Sequence, residues 1–195
     1  MKTFKYSLIC EDDAQRYFVE TFLGHHFAGK ADFVFDELFY KKFKCSNNAD
    51  VLKSYVIQIE RSSNLDLYNL NLVFVGIDYD NRPRESFTTE LNKLYGKLND
   101  GAKQKAVVFF PVQAIEHWLI FLQRKAANPS ITKTITDDIE NTKRADAKRM
   151  VYGTKYADKK EIVSNLVKAF DVEWLCTQSV SFRAFYNRVI EVINR

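Results

Sequence analysis

The chain has 195 residues, 46% of them hydrophobic and 28% charged, with a formal net charge of +4. This composition is ordinary for a folded, soluble protein. No apolar run reaches the roughly 20 residues that a membrane-spanning helix requires, and the N-terminal residues lead into a predicted strand rather than into a signal-peptide core. We therefore expect a cytoplasmic protein that makes no membrane contact.

Apolar periodicity alternates strands with helices along the chain, which is typical of a largely parallel sheet covered on both faces. Strands are predicted at 4–10, 31–35, 71–77 and 106–110, and a further short strand at 38–43. The run at 71–77 is almost continuously apolar, which predicts a central strand. Helices are predicted at 12–27, from 46 to about 62, at 85–98, from Pro111 to 122, at 156–170 and at 181–193.

Strand signals fade after residue 126, where 131–149 is interpreted as a polar helix or a mobile arm. We therefore divide the chain into an α/β core over 1–127 and a helical C-terminal extension over 128–195 that packs on it. The predicted core is a mostly parallel sheet of four to five strands flanked by helices.

Several types of site are disfavoured. The three cysteines are odd in number and have no C-x-x-C spacing, so neither a disulfide framework nor a zinc knuckle is indicated. The chain also lacks the G-x-x-x-x-G-K-[ST] phosphate loop, which argues against an autonomous ATPase.

Four carboxylates follow three of the predicted strands: Glu11, Asp78, Asp80 and Glu116. Ligands of open α/β sheets bind outside the carboxyl ends of the strands, and Mg²⁺ prefers oxygen ligands. The order of strands and acids therefore predicts a divalent-metal site. The structural alternative is that acidic residues are simply common in loops that follow strands.

Positive charge is concentrated between residues 141 and 160, a segment that contains seven lysines and arginines and only two aspartates. Such a segment attracts a polyphosphate backbone, although a solvated helix face explains the same charge. Arg82 and Arg84 follow Asp80 closely and are the candidates for contact with a substrate phosphate.

These motifs resemble the Toprim superfamily, and in particular compact Toprim-like proteins of the overcoming-lysogenization-defect (OLD) and RloB type. The resemblance consists of Glu11 after the first strand, Asp78-Tyr79-Asp80 after the central strand, and Ile115-Glu116-His117-Trp118-Leu119, which is similar to an Ile-Glu-x-Trp-Leu signature. Ser181-Phe182-Arg183-Ala184-Phe185 is similar to the terminal helix of these proteins. The resemblance implies a Rossmann-like Toprim fold.

The resemblance also implies roles for individual residues. Glu11 resembles a general acid/base or first metal ligand, Asp78 and Asp80 resemble the principal ligands, and Glu116 would complete a second metal position. Lys159, with Lys160 or Lys155 as substitutes, resembles the lysine that stabilises transition-state charge in OLD-type nucleases.

The sequence departs from the family pattern at Gln15, where OLD-type nucleases often carry a second glutamate one helical turn after the first. Glutamine can coordinate through its carbonyl but supplies no charge. The departure leaves open whether the site holds one ion or two.

The leading hypothesis is a Mg²⁺-dependent nuclease, with Mn²⁺ as a substitute ion, that cleaves DNA or RNA in anti-phage defence or a mobile element. Because the chain has no ATPase signature, the resemblance implies a separate ATPase subunit as a partner. A homodimer is also expected. The alternative hypothesis is a non-catalytic, Toprim-like regulatory or interaction subunit.

Overall fold

The fold is known from a computed structural model, which describes residues 1–63, 67–79, 84–153 and 158–195. Its sheet is parallel throughout and has the strand order β2-β1-β3-β4. The strands are β1 (Lys2–Ile9), β2 (Ala31–Phe35), β3 (Leu72–Gly76) and β4 (Ala106–Phe109). The α/β class and the four predicted strands at these positions are therefore confirmed.

The central position of β3 is also confirmed, and it follows from sequence. All five of its residues are buried, as expected for a strand covered on both faces. Its register sets Tyr6 of β1 opposite Leu72, and Ala106 of β4 opposite Val73. Because the three strands are parallel neighbours, their carboxyl ends open at one edge of the sheet.

Helices cover the sheet and form the whole of the C-terminal third among the described residues. They are α1 (Asp13–His26), α2 (Glu37–Phe43), α3 (Asn48–Arg61), α4 (Phe87–Gly96), α5 (Asp100–Lys105), α6 (Ile115–Ala127), α7 (Thr136–Glu140), α8 (Arg144–Tyr152), α9 (Lys159–Lys168), α10 (Val172–Gln178) and α11 (Val180–Ile193). A 3-10 turn at Arg84–Ser86 precedes α4. No helix in the described ranges has the length and apolar character needed to cross a bilayer.

Two apolar clusters lie on opposite faces of the sheet. The larger one joins α1 and α6 to helices of the C-terminal part, and its centre is aromatic. Phe182 of α11 is wholly buried there, with its ring centroid 5.2 Å from that of Trp118 and 6.1 Å from that of Phe22. The C-terminal helices therefore share one core with the sheet.

The predicted strand at 38–43 is wrong, because this segment is helix α2. The Asp36 carboxylate accepts a hydrogen bond from the Phe39 amide at 2.7 Å and so caps the helix. Phe39, Tyr40 and Phe43 are its buried residues. Aromatic residues suit strands as well as buried helix faces, so composition alone misassigned the segment.

The helix predicted from Pro111 begins four residues later, at Ile115. The Pro111 carbonyl accepts a hydrogen bond from the Tyr79 amide at 3.2 Å, which extends the pairing of β3 with β4 beyond the strand ends. Gln113 then takes a left-handed backbone conformation (φ 69°) before the helix starts. Pro111 thus belongs to the strand-to-helix turn. The interpretation of 131–149 as one helix or arm is replaced by α7 and α8, and α5 and α10 were not predicted.

Replacing Phe182 with Ala is expected to lower the free energy of unfolding by about 3–5 kcal/mol, because it opens a cavity in the aromatic cluster. Leu38→Ala is the control, since that side chain is 74% exposed. Urea titration followed by far-UV circular dichroism and Trp fluorescence should give one coincident transition for both variants. A separate early transition of the C-terminal helices would contradict a shared core.

Candidate functional site

The predicted acidic residues lie at the carboxyl edge of the sheet where the structure describes them. Glu11 follows β1, Asp78 lies two residues beyond β3, and Glu116 is in the first turn of α6, which follows β4. Asp80 and Arg82 lie outside the described residues. Strand order therefore places three acids that are far apart in sequence at the same edge of the sheet.

Asp78 is the most completely held of these acids. Its side chain is 1% exposed. Oδ1 accepts a hydrogen bond from Gln15 Nε2 at 2.9 Å, and Oδ2 lies 2.7 Å from Nη2 of Arg144. Its backbone carbonyl accepts a hydrogen bond from Asn48 Nδ2 at 2.9 Å. Two elements thus fix this carboxylate, α1 and α8, and the start of α3 fixes the backbone of the same residue.

Arg144, the first residue of α8, joins two of the predicted metal ligands. The same Nη2 that contacts Asp78 donates to Glu11 Oε1 at 3.0 Å. One guanidinium nitrogen therefore lies between the Glu11 and Asp78 carboxylates, and it supplies positive charge where the sequence predicts a metal ion. Sequence reasoning placed Arg144 in the basic segment but gave it no role in the acidic site.

Glu116 is buried without compensation of this kind. The residue is 0% exposed, and neither carboxylate oxygen has a hydrogen-bond partner of ordinary geometry among the described residues. Burial raises the pKa of Glu116 above its usual value, while the positive charges of Lys148 and Arg144 oppose the rise. Such a group is costly unless a cation or a proton satisfies it.

Tyr152, at the end of α8, closes the space beside Glu116. Burial raises the pKa of its hydroxyl, and the negative charges of Glu116 and Asp12 and a hydrogen bond to the Glu116 carboxylate raise it further. The hydroxyl therefore remains protonated at neutral pH and carries a proton that a neighbouring carboxylate can accept. The sequence offered no signal for this residue.

Two lysines bring further positive charge to the same edge through Asp12. This aspartate caps α1 by accepting from the Ala14 amide at 2.8 Å. Lys159 Nζ lies 3.1 Å from its Oδ1 and Lys148 Nζ lies 3.9 Å from its Oδ2. Lys159, the lysine predicted to act at the site, thus lies at the start of α9 beside the Asp12 carboxylate. Its substitute Lys160 lies over the Tyr17 ring, and Lys155 lies outside the described residues.

Arg84, predicted to contact a substrate phosphate, is engaged by carboxylates of α7. Its Nε lies 2.5 Å from Glu140 Oε2, and its Nη2 lies 2.7 Å from Asp137 Oδ1. A phosphate would have to compete with both of them for this guanidinium.

The Gln15 departure has a structural counterpart in Gly76, the last residue of β3. A Cβ on Gly76 would clash with Gln15 Oε1 and would lie 2.9 Å from Cys10 Cβ. The absence of a side chain at Gly76 therefore lets the Gln15 amide pass under the strand end to reach Asp78. Gln15 positions the aspartate without adding charge.

Within the ranges that the structure describes, no group of three or more histidine, cysteine, aspartate or glutamate side chains is arranged to hold a metal ion. Comparisons with protein-family profiles, with curated proteins and with solved structures find no match. The site must therefore be interpreted from its own chemistry.

Glu116→Gln is expected to stabilise the metal-free protein at neutral and alkaline pH. The folded-state pKa of Glu116 is raised, so the folded state binds more protons than the unfolded state above pH 4.5, and its stability falls as pH rises through that window. Removing the buried charge should raise the melting temperature by a few degrees at pH 8, since about 1 kcal/mol corresponds to roughly 2–4 °C for a chain of this size.

Thermal unfolding in EDTA at pH 5 and pH 8 measures this effect, with the exposed Glu173→Gln as the control. If Glu116→Gln were less stable than the wild type by the same amount at pH 8 and at pH 5, Glu116 would not be a destabilising buried charge.

Gly76→Ala is expected to destabilise the protein by about 1–3 kcal/mol, because the added methyl group displaces a buried side chain. Gly24→Ala on α1 is the matched control: nothing lies within 4 Å of its added Cβ, and it should gain about 0.5–1 kcal/mol from helix propensity. Urea denaturation of the two variants gives the comparison. Equal stability of Gly76→Ala and the wild type would show that Gln15 does not need the space.

Proposed function

We propose that this protein is a Mg²⁺-dependent nuclease with a Toprim-like site. The observation that carries the proposal is the Glu116 carboxylate, which is fully buried beside the other site acids and has, among the described residues, only the Tyr152 hydroxyl and its own backbone as hydrogen-bonding neighbours. A buried anion with so little neutralisation stores a free-energy cost that a bound cation relieves. Residues that bind ligands commonly carry such a cost, whereas purely structural carboxylates are satisfied within the protein.

The donor set fits a hard divalent cation. Glu11, Asp78 and Glu116 supply carboxylate oxygens at the same sheet edge, and Asp80 is expected from the sequence to add a fourth. Neither sulfur nor imidazole is among these predicted ligands, which favours Mg²⁺ or Mn²⁺ over zinc. When bound, such an ion polarises a phosphoryl oxygen and lowers the pKa of a coordinated water.

The protein's own residues contribute binding and orientation. Gln15 and Asn48 fix Asp78 from two sides, through its carboxylate and its backbone carbonyl. Glu116 and Asp12 lie at the N-terminal ends of α6 and α1, where the helix dipoles favour negative charge, including that of a phosphate. The Tyr152 hydroxyl stays protonated and can donate to a carboxylate or a phosphate oxygen in that space.

Cationic side chains at the same edge favour a polyanionic substrate. Lys148 and Lys159 reach Asp12 from α8 and α9, and each remains partly exposed. A phosphate that displaces Asp12 from Lys159 would place the ammonium against the charge that develops during cleavage, which is the role that the Toprim resemblance implies for this lysine. DNA or RNA is thus the proposed substrate, and Arg84 and Arg82 remain proposed contacts to its backbone.

The biological setting is proposed from the resemblance alone. It comprises a cytoplasmic role in anti-phage defence or a mobile element, a separate ATPase subunit that gates cleavage, and a homodimer. The division into a core at 1–127 and an extension at 128–195 likewise remains a proposal.

One observation favours the alternative function, a non-catalytic regulatory subunit. Arg144 neutralises Glu11 and Asp78 from within the chain. A site whose charges are satisfied internally can keep its fold without an ion. The two functions differ in whether the protein cleaves nucleic acid, which can be measured directly.

We expect the wild type to cleave at least one of plasmid DNA, single-stranded DNA and transfer RNA with Mg²⁺ or Mn²⁺. Glu116→Gln and Asp78→Asn should each lower the cleavage rate by more than about 100-fold, since loss of even an outer-shell partner costs 10–100-fold at metal sites. Gel assays with and without EDTA provide the measurement.

Asp138→Asn is the control, since it makes the same change from carboxylate to carboxamide at an exposed position on α7. It should leave the cleavage rate within about twofold of the wild type. Metal-dependent cleavage that survives both site variants would contradict the proposal. Binding of nucleic acid or of an ATPase subunit without any cleavage would instead support the regulatory alternative.

A further inference from the structure

The contact of Arg144 with two acidic residues has a consequence for how the site is loaded. Its Nη2 lies 3.0 Å from Glu11 Oε1 and 2.7 Å from Asp78 Oδ2, so one nitrogen atom bridges the two carboxylates. A divalent ion that bridged these carboxylates would stand in the same gap. Two positive centres cannot share that gap.

We infer that Arg144 is a built-in counter-ion of the site, which holds the position between Glu11 and Asp78 and must leave it before a divalent ion can bridge them. This inference rests on the proposed metal site and adds its regulation. Loading with an ion and displacement of the Arg144 guanidinium are then one equilibrium.

The surroundings of Arg144 suit such an exchange. Its side chain is 35% exposed, so the guanidinium has a route to solvent, whereas Asp78 is 1% exposed and held by Gln15. The arginine is therefore the more accessible of the two partners. An arginine is a delocalised, weakly hydrated cation, which makes it suitable for replacing an ion beside buried carboxylates.

The position of Arg144 also lowers the electrostatic cost of placing these acids at one edge. Glu11 and Asp78 would otherwise repel each other at short distance in a partly buried setting. The guanidinium removes this repulsion. The cost is that the apparent metal affinity equals the intrinsic affinity multiplied by the fraction of molecules in which Arg144 is disengaged.

The test compares Mn²⁺ binding, by calorimetry and by electron paramagnetic resonance of the free ion, across four variants of the full chain. Arg144→Gln should tighten the apparent Kd of Mn²⁺ at least about tenfold, the size expected from losing a competing charge-assisted hydrogen bond. Its melting temperature in EDTA should fall, and saturating Mn²⁺ should raise it more than it raises that of the wild type.

Three controls separate occupancy of the gap from a general effect of charge. Arg144→Lys keeps the charge on a shorter stem without the planar fork, and it should also tighten Mn²⁺ binding. Lys148→Gln removes a neighbouring positive charge that does not bridge Glu11 and Asp78, and it should tighten binding by no more than about threefold. Arg149→Gln alters an exposed arginine of α8 that pairs with Asp146, and it should change nothing.

Each outcome decides between the ideas. Equal tightening of Mn²⁺ binding by Arg144→Gln and Lys148→Gln would overturn the inference, because Arg144 would then act only through its positive charge and not by occupying the gap. Mn²⁺ binding by the wild type with no tightening in either Arg144 variant would also overturn it, yet would leave the proposed metal site standing. Absence of Mn²⁺ binding by the wild type and by every variant would overturn the metal site and the inference together. If Arg144→Gln does not fold, the Arg144→Lys result decides alone.

Discussion

The parallel register of β1, β3 and β4 is the constraint on which the site depends. Because these strands are neighbours and point the same way, residues that follow them meet at one edge, although more than 100 positions separate Glu11 from Glu116. The sheet in turn requires two covering layers of helices, since β3 is buried on both faces. The aromatic cluster that binds α11 to α1 and α6 supplies one of those layers and holds the strand ends in place.

Concentrating carboxylates at this edge creates an electrostatic cost. Positive charges and hydrogen bonds from the chain offset this cost for some of the acids more than for others. Asp78 has a neutral amide donor and a guanidinium, and Asp12 has two lysines and a helix N-terminus. Glu116 is fully buried and has, in the described ranges, only the Tyr152 hydroxyl and its own backbone as hydrogen-bonding neighbours. If all the acids were structural, the most deeply buried of them would need the most internal partners. A deeply buried acid with few internal partners is expected where a bound group completes the site.

The sequence predicted the strands of the sheet and the acids that follow three of them. Continuous apolar runs predict strands, and the acids that follow those runs can be identified in the sequence. The carboxyl edge of the sheet and three of its carboxylates could therefore be located from sequence. Contacts between distant segments leave no periodic trace. Arg144 is 66 positions beyond Asp78 in sequence, and nothing in a basic helix says which of its cations turns inward. Helix α2 was missed for a related reason, since only its Asp36 cap distinguishes it from an aromatic strand.

The two candidate functions differ in the free energy of one exchange. If binding of a divalent ion to Glu11, Asp78 and Glu116 outweighs the Arg144 ion pairs, the guanidinium is expelled and becomes available to a phosphate, for which its planar fork is well suited. If the ion pairs outweigh ion binding, the same residues form a stable, closed edge, and the protein acts by binding. Gln15 tilts this balance toward the arginine, because a glutamate there would add a negative charge that a single guanidinium could not neutralise. A partner that draws α8 away from the carboxylates would tilt it the other way. Control of the proposed activity then needs no change in the sheet, only a change in which cation the carboxylates hold.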